Sequence, residues 1–381
     1  MSSIKKVNTA LLGLGVLYGL AVLLVMTPLI QTHVLYAHRI DFFGYNKFDH
    51  PEDYGLAPGK TVNLKLRSAD NTSIGAWFVF ADKFYHTLPF PPSNNTRKGE
   101  IVTATKRAPT ILFLHGNTGT RALHLRVNLY TAFTSRLGSN VLAIDYRGFA
   151  DSEGQPTVDG VAQDARTGWN YLIESGARPE DILIVGHSLG TAIAGLLSAE
   201  LGNEGISPRG LVLMSAFSSV RTLMDEYYLF GCLPLLKPLA MIPLAPRLLN
   251  WSLVHKFDTL TLVPAIKSSV LIAHAENDWD IQHSHSSTLF NTFLDPHLPE
   301  LPELPQNPTL LNHSDWSAQL AARNAKRAEL VSSIDIHNFG AWNEFTAGGR
   351  MVAMLKTKKG SHDIGKIEGL QDYIGRMFQL L

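Results

Sequence analysis

A single cysteine, Cys232, in 381 residues means that no disulfide can close within the chain and no zinc site can be built from cysteine ligands. That thiol reads as a small buried hydrophobe. Lys plus Arg and Asp plus Glu are each 33, so no bias of charge favours nucleic acid or a strongly acidic partner. Nucleic-acid binding is left without support. Charge is missing altogether from Thr9 to Ile30. As a helix that run would span about 33 Å, enough to cross the hydrocarbon of a bilayer.

The expectation is a transmembrane signal anchor at 9–30, after a short tail at 1–8 and before a linker at 31–60. Lys5 and Lys6 precede the run as in a cleaved signal peptide, but the run is long for one and no small-x-small cleavage site follows. Gly15 and Gly19 have the small-x-x-x-small spacing that suits a homodimer through such a helix. Lys5 and Lys6 lie closer to the run than Arg39 and Lys47 do, which directs the N-terminus to the cytosol and the bulk of the chain to the lumen or outside. Sequons at Asn71, Asn94, Asn250 and Asn312 agree with that topology.

The remainder, 61–381, is long enough for one large domain, and 45% hydrophobic residues can supply its core. Its organising stretch is Asp181 to Gly195. Ile182 to Val185 is a continuous apolar run of the kind buried on both faces of a parallel sheet. Gly186-His187-Ser188-Leu189-Gly190 follows at once, and Thr191 to Leu197 continues as a helix of small and apolar residues. A strand, a glycine-flanked serine and a helix in that order make a nucleophile elbow, in which a sharp turn lifts the serine above the sheet. Free N–H groups at the helix start can then stabilise an oxyanion beside it.

Val62 to Leu66 and Ile74 to Ala81 read as antiparallel strands around the turn Ala69-Asp70-Asn71, and Pro89 to Gly99 reads as a surface loop. Buried strands are expected at Thr110 to Leu114, Val141 to Ile144, Gly210 to Met214, Ser269 to Ala273 and Met351 to Lys356, with a helix over Asp159 to Glu174. This alternation predicts an α/β fold with a mostly parallel central sheet flanked by helices. Leu229 to Val254 is apolar but interrupted by Pro234, Pro238, Pro243 and Pro246, which excludes one uninterrupted spanning helix and suits a cap at about 218–268. Its grease fits an apolar substrate or the bilayer surface, or equally a set of short helices buried on the core. The proline-rich stretch from Pro296 opens a long excursion, about 295–345, expected to be a loop insertion.

Ser188 needs a base, and the base needs an acid to hold its tautomer. In an α/β hydrolase the acid and then the histidine follow the serine. Asp278 sits in the loop after the strand ending near Ala273, with Asp280 and Glu276 as local rivals. Asp145 precedes the serine and is read as tying down its own turn. His362 follows the last strand, where the base belongs, while His283, His285, His297, His313 and His337 also satisfy chain order. The glycine-rich turn His115-Gly116-Asn117-Thr118-Gly119 after a buried strand is placed to supply a second oxyanion amide.

These residues carry a resemblance. His115-Gly116-Asn117-x-Gly119-Thr120-Arg121, Arg126-Val127, Leu129-Tyr130, Asp145-Tyr146-Arg147-Gly148, Asp151-Ser152, Gly154, Pro156, Gly186-His187-Ser188-Leu189-Gly190-Thr191 and His274-Ala275-Glu276-x-Asp278 are similar to the signatures of the membrane-anchored α/β-hydrolase-domain 12 group, monoacylglycerol and lysophosphatidylserine lipases. The likeness covers about Ala108 to Asp278. It implies an α/β-hydrolase fold, a triad of Ser188, Asp278 and His362, and an oxyanion hole from the N–H groups of Asn117 and Leu189, with Thr118 as the alternative to Asn117. It also implies acyl transfer from a lipid ester without metal or organic cofactor, in a single-pass protein of the endoplasmic reticulum with its catalytic domain lumenal. The chain departs from the group in having Phe149-Ala150 where Trp-Gly is usual, in a longer segment between acid and histidine, and in its cap. Those departures bear on substrate rather than on chemistry. The competing functions are a protein-deacylating thioesterase, a general carboxylesterase and a non-catalytic scaffold on the same fold.

Overall fold

Proline at position 28 divides the N-terminal apolar run. In the computed structural model, which describes residues 2–40, 46–90, 97–226, 228–229, 233–234, 242–301 and 313–381, the chain opens with α1 (Ser2–Val25) and α2 (Pro28–Tyr36). Proline has no N–H to donate to the turn before it, and it occupies the first position of α2, where none is needed. Thr9 to Ile30 is therefore two helices and not the single one expected. Lys6–Val25 of α1 is by itself long and apolar enough to cross a membrane. The linker expectation at 31–60 also changes, because α2 docks on the domain and buries Tyr36 completely.

The sheet begins with β1 (Thr61–Arg67) and β2 (Ser73–Val79), paired antiparallel. Helices α3 (Asp82–Tyr85) and α4 (Lys98–Arg107) lead into β3 (Thr110–Leu114), so the expected loop at Pro89 to Gly99 gives way to helix at its end, while 91–96 lie outside the described residues. Then come α5 (His124–Arg136), β4 (Asn140–Ile144), α6 (Val158–Glu174), β5 (Ile182–His187), α7 (Leu189–Asn203) and β6 (Gly210–Met214). The expected cap region holds α8 (Val220–Glu226), the two-residue strands β7 (Tyr228–Leu229) and β8 (Leu233–Pro234), and α9 (Ala245–Ser252). Residues 227, 230–232 and 235–241 of it, Cys232 included, lie outside the described residues.

The chain continues through β9 (Val270–Ala275), α10 (Ser284–Leu294), α11 (His313–Leu330), β10 (Ser332–Ile336), β11 (Gly340–Ala347), β12 (Arg350–Thr357) and α12 (Glu368–Met377). Ten strands form one sheet in the order β1-β2-β4-β3-β5-β6-β9-β12-β11-β10. Pairing is parallel from β4 through β12 and antiparallel toward both edges. The excursion at 295–345 is thus not a loop insertion throughout, since it contains α11 and two strands that widen the sheet. Polar Ser332–Ile336 forms the exposed edge, and Gly348-Gly349, both at positive φ, make the tight hairpin turn into β12.

Alternate side chains of the central strands feed two buried layers. Leu112 and Leu114, Ile182 and Ile184, and Leu211 and Leu213 meet α6, α7 and α10 on one face. Ile111 and Phe113, Leu183 and Val185, and Val212 and Met214 meet α5 and α12 on the other. Both faces covered by helices is the condition that lets a parallel strand be apolar throughout. The loops after β3, β5, β9 and β12 all leave the carboxyl edge of the sheet, where open α/β sheets gather their sites.

Candidate active site

Ser188 is held at φ 53° and ψ −121° between β5 and α7. A β-carbon at Gly186 would overlap the Gly190 carbonyl, and one at Gly190 would overlap the Leu114 carbonyl, so only glycine lets strand and helix cross this closely. The strained turn is stabilised on both sides: Ser188 donates its N–H to the Met214 carbonyl at 2.9 Å, and Thr191 Oγ1 donates to the Ser188 carbonyl at 2.6 Å. The serine is 7% exposed and borders two cavities, of about 400 Å³ and about 270 Å³.

His362, in the loop after β12, places Nε2 2.8 Å from Ser188 Oγ and Nδ1 2.9 Å from Asp278 Oδ2. Asp278, just past β9, takes the backbone N–H groups of Asp280 and Ile281 on Oδ1 at 2.9 and 3.0 Å. His274 Nε2 approaches Oδ2 from within the fold at 3.2 Å and also meets the Ile281 carbonyl. The structure brings together the serine, acid and histidine singled out in the sequence. Asp280, the local rival of Asp278, stays beside the pair, while other competing groups lie elsewhere. Asp145 is fully buried between Arg121 and His115, His285 is engaged by Ser218 and Glu226, and His337 is exposed in the turn between β10 and β11.

Burial by itself would raise the pKa of Asp278, but the hydrogen bonds from His274 and His362 and the backbone of Ile281 hold it well below the usual carboxylate range. It therefore stays ionised. Burial would lower the pKa of His362, but Asp278 in contact, with Asp280 and Asp363 nearby, raises it above that of a free imidazole. A base must be neutral to accept a proton, so the acid limb of kcat/KM is expected above the ordinary histidine range. Replacing Asp280 by Asn removes one of the charges that favour the imidazolium, and the limb should move to lower pH in a pH-rate profile. An unmoved limb would show that this charge is screened from His362.

Sequence reasoning missed the groups that hold the histidine. His187 Nε2 and Ser215 Oγ both donate to the His362 carbonyl, at 2.9 and 2.8 Å. Burial first, and then the neighbouring His362, push the pKa of His187 down to about 3, so it is neutral and its tautomer is set by that carbonyl. Only His187 had a signal, its place inside the elbow.

Asn117 and Leu189, the two expected oxyanion donors, both border Ser188. Leu189 opens α7, so its N–H has no acceptor within the helix. Thr118, the alternative to Asn117, is committed elsewhere: its N–H donates to the Tyr36 carbonyl at 2.9 Å. Tyr36 is packed edge-on against Phe149, His255 and Phe257. Gln31 of α2 exchanges hydrogen bonds with Ser252 and Val254 at the end of α9. The N-terminal segment is thereby built into the wall of the site, where Leu35 lines the smaller cavity. The ligand atoms of Asp278, Asp280 and His362 lie within 4.8 Å of one another. Their hydrogen bonds commit Asp278 and His362 to a relay toward Ser188.

A serine on the elbow after the central parallel strand, with acid and histidine following in order, defines a serine hydrolase of carboxylic esters on an α/β-hydrolase fold. Residues 111–340 match the alpha/beta hydrolase family. The lysophosphatidylserine lipase ABHD12 of Xenopus tropicalis is 30% identical over 291 residues, 73% of this chain and 69% of that protein. Its Gallus gallus counterpart is 30% identical over 290 residues, 73% of this chain and 70% of its own. The chain belongs to the α/β hydrolase family and, within it, to the α/β-hydrolase-domain 12 group. A solved α/β hydrolase from Vibrio vulnificus superposes with a TM-score of 0.54 at 16% identity, covering 93% of this chain and 94% of that one, which shows the common fold.

Proposed function

We propose that the protein is a membrane-anchored lipase that cleaves the ester of a single-chain lipid, a monoacylglycerol or a lysophospholipid, through Ser188, His362 and Asp278. The observation that carries this is the unbroken relay from Asp278 through His362 to Ser188 at the meeting of two cavities. Ser188 Oγ attacks the ester carbonyl as His362 Nε2 takes its proton. Asp278 holds the imidazolium, and the N–H groups of Asn117 and Leu189 receive the oxyanion. Collapse expels the alcohol with the proton returned from His362, and water repeats the sequence on the acyl-enzyme. The relatives named as lysophosphatidylserine lipases support the lipid substrate.

Membrane attachment, with the catalytic domain in the lumen of the endoplasmic reticulum, is part of this proposal. Tyr18, Val22 and Met26 of the N-terminal segment pack on Leu249 of α9, beside Met224. Around that contact Ile242, Leu244, Leu248, Trp251 and Val254 stay exposed, and Trp251 is 80% so. An apolar face continuous with a spanning helix belongs in the interface, where a lipid that loses about 0.8 kcal/mol for every CH₂ brought into water can be met without leaving the bilayer. The test compares the full chain with its Leu248→Asp, Trp251→Asp double variant. Vesicle-borne lysophospholipid and monoacylglycerol, an acylated peptide and a short soluble ester are the substrates. Lipid hydrolysis is expected to fall at least tenfold with ester hydrolysis held within twofold. Equal losses would make the face ordinary core, and faster turnover of the acylated peptide would replace the lipase by a protein-deacylating thioesterase.

A further inference from the structure

Three buried arginines lie near the loop that follows β3 and the turn after β4, and among the described residues one of them has no carboxylate in contact. Arg121 pairs with Asp145 and Asp151, and Arg147 with Asp70 and Asp164. Arg126, on the first turn of α5 and 7% exposed, meets only backbone. Nη1 donates to the Thr120 carbonyl at 2.9 Å, and Nη2 to those of Thr118, Gly116 and Asn117 at 2.6, 3.2 and 3.2 Å. Among the described residues no carboxylate pairs with it. Asp145 and Asp363 act on it only from a distance, and a buried guanidinium without a contacting carboxylate is costly, so its place beside Ser188 in the larger cavity suits a negative charge that arrives later.

The same contacts orient the loop. In a trans peptide the N–H points opposite to the carbonyl of its unit. With the Asn117 carbonyl drawn to Arg126, and the Gly116 carbonyl shared between Arg126 and His115 Nδ1, which lies 2.6 Å from it, the N–H groups of Asn117 and Thr118 face away from the guanidinium. Tyr36 accepts the Thr118 N–H on that far side, as expected from such an orientation. Among the described residues the Asn117 N–H has no acceptor, and Asn117 borders both cavities.

We propose that Arg126 is the positioning residue of the oxyanion hole: it turns the peptide units of Gly116 to Thr118 so that the Asn117 N–H meets the developing oxyanion, and its unpaired charge supplies the field that stabilises that oxygen. This rests on Ser188 as the nucleophile. The guanidinium acts through the loop that it orients and through its charge, and not as a hydrogen-bond donor to the oxyanion. A field and a donor fixed before the reaction favour the tetrahedral anion over the neutral ester, so the effect belongs in kcat and leaves KM alone.

The experiment uses the full chain in detergent with Arg126→Met and Arg126→Lys. The readouts are kcat and KM on a short soluble ester, inhibition by a trifluoromethyl ketone that adds to the serine as an anionic hemiketal, and end-point titration of intact sites with a fluorophosphonate followed by peptide mapping. Per titrated site, kcat of the Met variant is expected to fall about 100-fold with KM within about threefold. Ketone affinity should fall by the same factor as kcat/KM. The Lys variant keeps the charge but cannot span the carbonyls, and should lie between. Rates per site within threefold of the parent in both variants overturn the proposal, as does a fall in kcat with ketone affinity unchanged. Failure of both variants to yield titratable sites overturns it too, by confining Arg126 to the folding of the loop. A parent protein labelled at a residue other than Ser188 would instead remove the nucleophile on which the proposal stands.

Discussion

Ser188→Ala is expected to lower ester hydrolysis by about 10⁴-fold or more and to abolish fluorophosphonate labelling, while the chain stays folded and sediments with membranes. The backbone turn is held by the Met214 carbonyl, by Thr191 and by the glycine contacts, none of which needs the hydroxyl. Alanine therefore keeps the elbow and loses only the Oγ that meets His362. Unchanged circular dichroism beside lost activity is the expected pair of results. Labelling that persists in the variant would place the nucleophile on another serine.

The second large effect is on the proposed base. His362→Ala would remove the proposed acceptor of the serine proton and leave the Asp278 carboxylate without one of its two imidazole partners, and a loss of about 10⁴-fold or more in kcat is expected. His337→Ala is the control, since chain order alone admitted it. It sits exposed between β10 and β11 and makes no hydrogen bond with Ser188 or Asp278 among the described residues, so activity should remain within about twofold. A folded but inactive His337 variant beside an active His362 variant would overturn the assignment.

The parts of the site legible in the sequence are those built from contiguous residues. Ile182 to Gly190 spells a buried strand, a sharp turn and a helix start in one stretch, and the observed elbow follows it residue by residue. The order of serine, acid and histidine was legible because each follows a strand of a parallel sheet. What was not legible is held by groups far apart in the chain. Tyr36 reaches Thr118, Gln31 reaches Ser252, and Ser215 reaches the His362 carbonyl, and no periodicity encodes such meetings. The contacts of Arg126 are equally hidden, because a guanidinium satisfied by carbonyls leaves no carboxylate in the sequence to point at it.

Two features that differ from expectation do carry a signal in the sequence. Pro28 separates α1 from α2 by the ordinary rule for proline, a break that the absence of charge from the run does not reveal. Trp342, Phe345 and the Gly348-Gly349 pair mark a strand and a two-residue hairpin turn, although prolines crowd the start of the same excursion. The α9 face needed the fold, since only packing shows that Leu249 meets the N-terminal segment while Trp251 does not.

The most direct test of the central claim is capture of the acyl-enzyme from a lipid substrate by the unmodified protein. Full-length protein mixed with oleoyl lysophospholipid or monooleoylglycerol, quenched in acid within milliseconds and digested, should yield an oleoyl ester on the peptide that contains Ser188. Its amount should rise and reach a steady level as free fatty acid is released. An acyl group on any other residue, or steady release of fatty acid with no acylated Ser188 peptide at any quench time, would contradict Ser188 as the nucleophile of a lipid esterase.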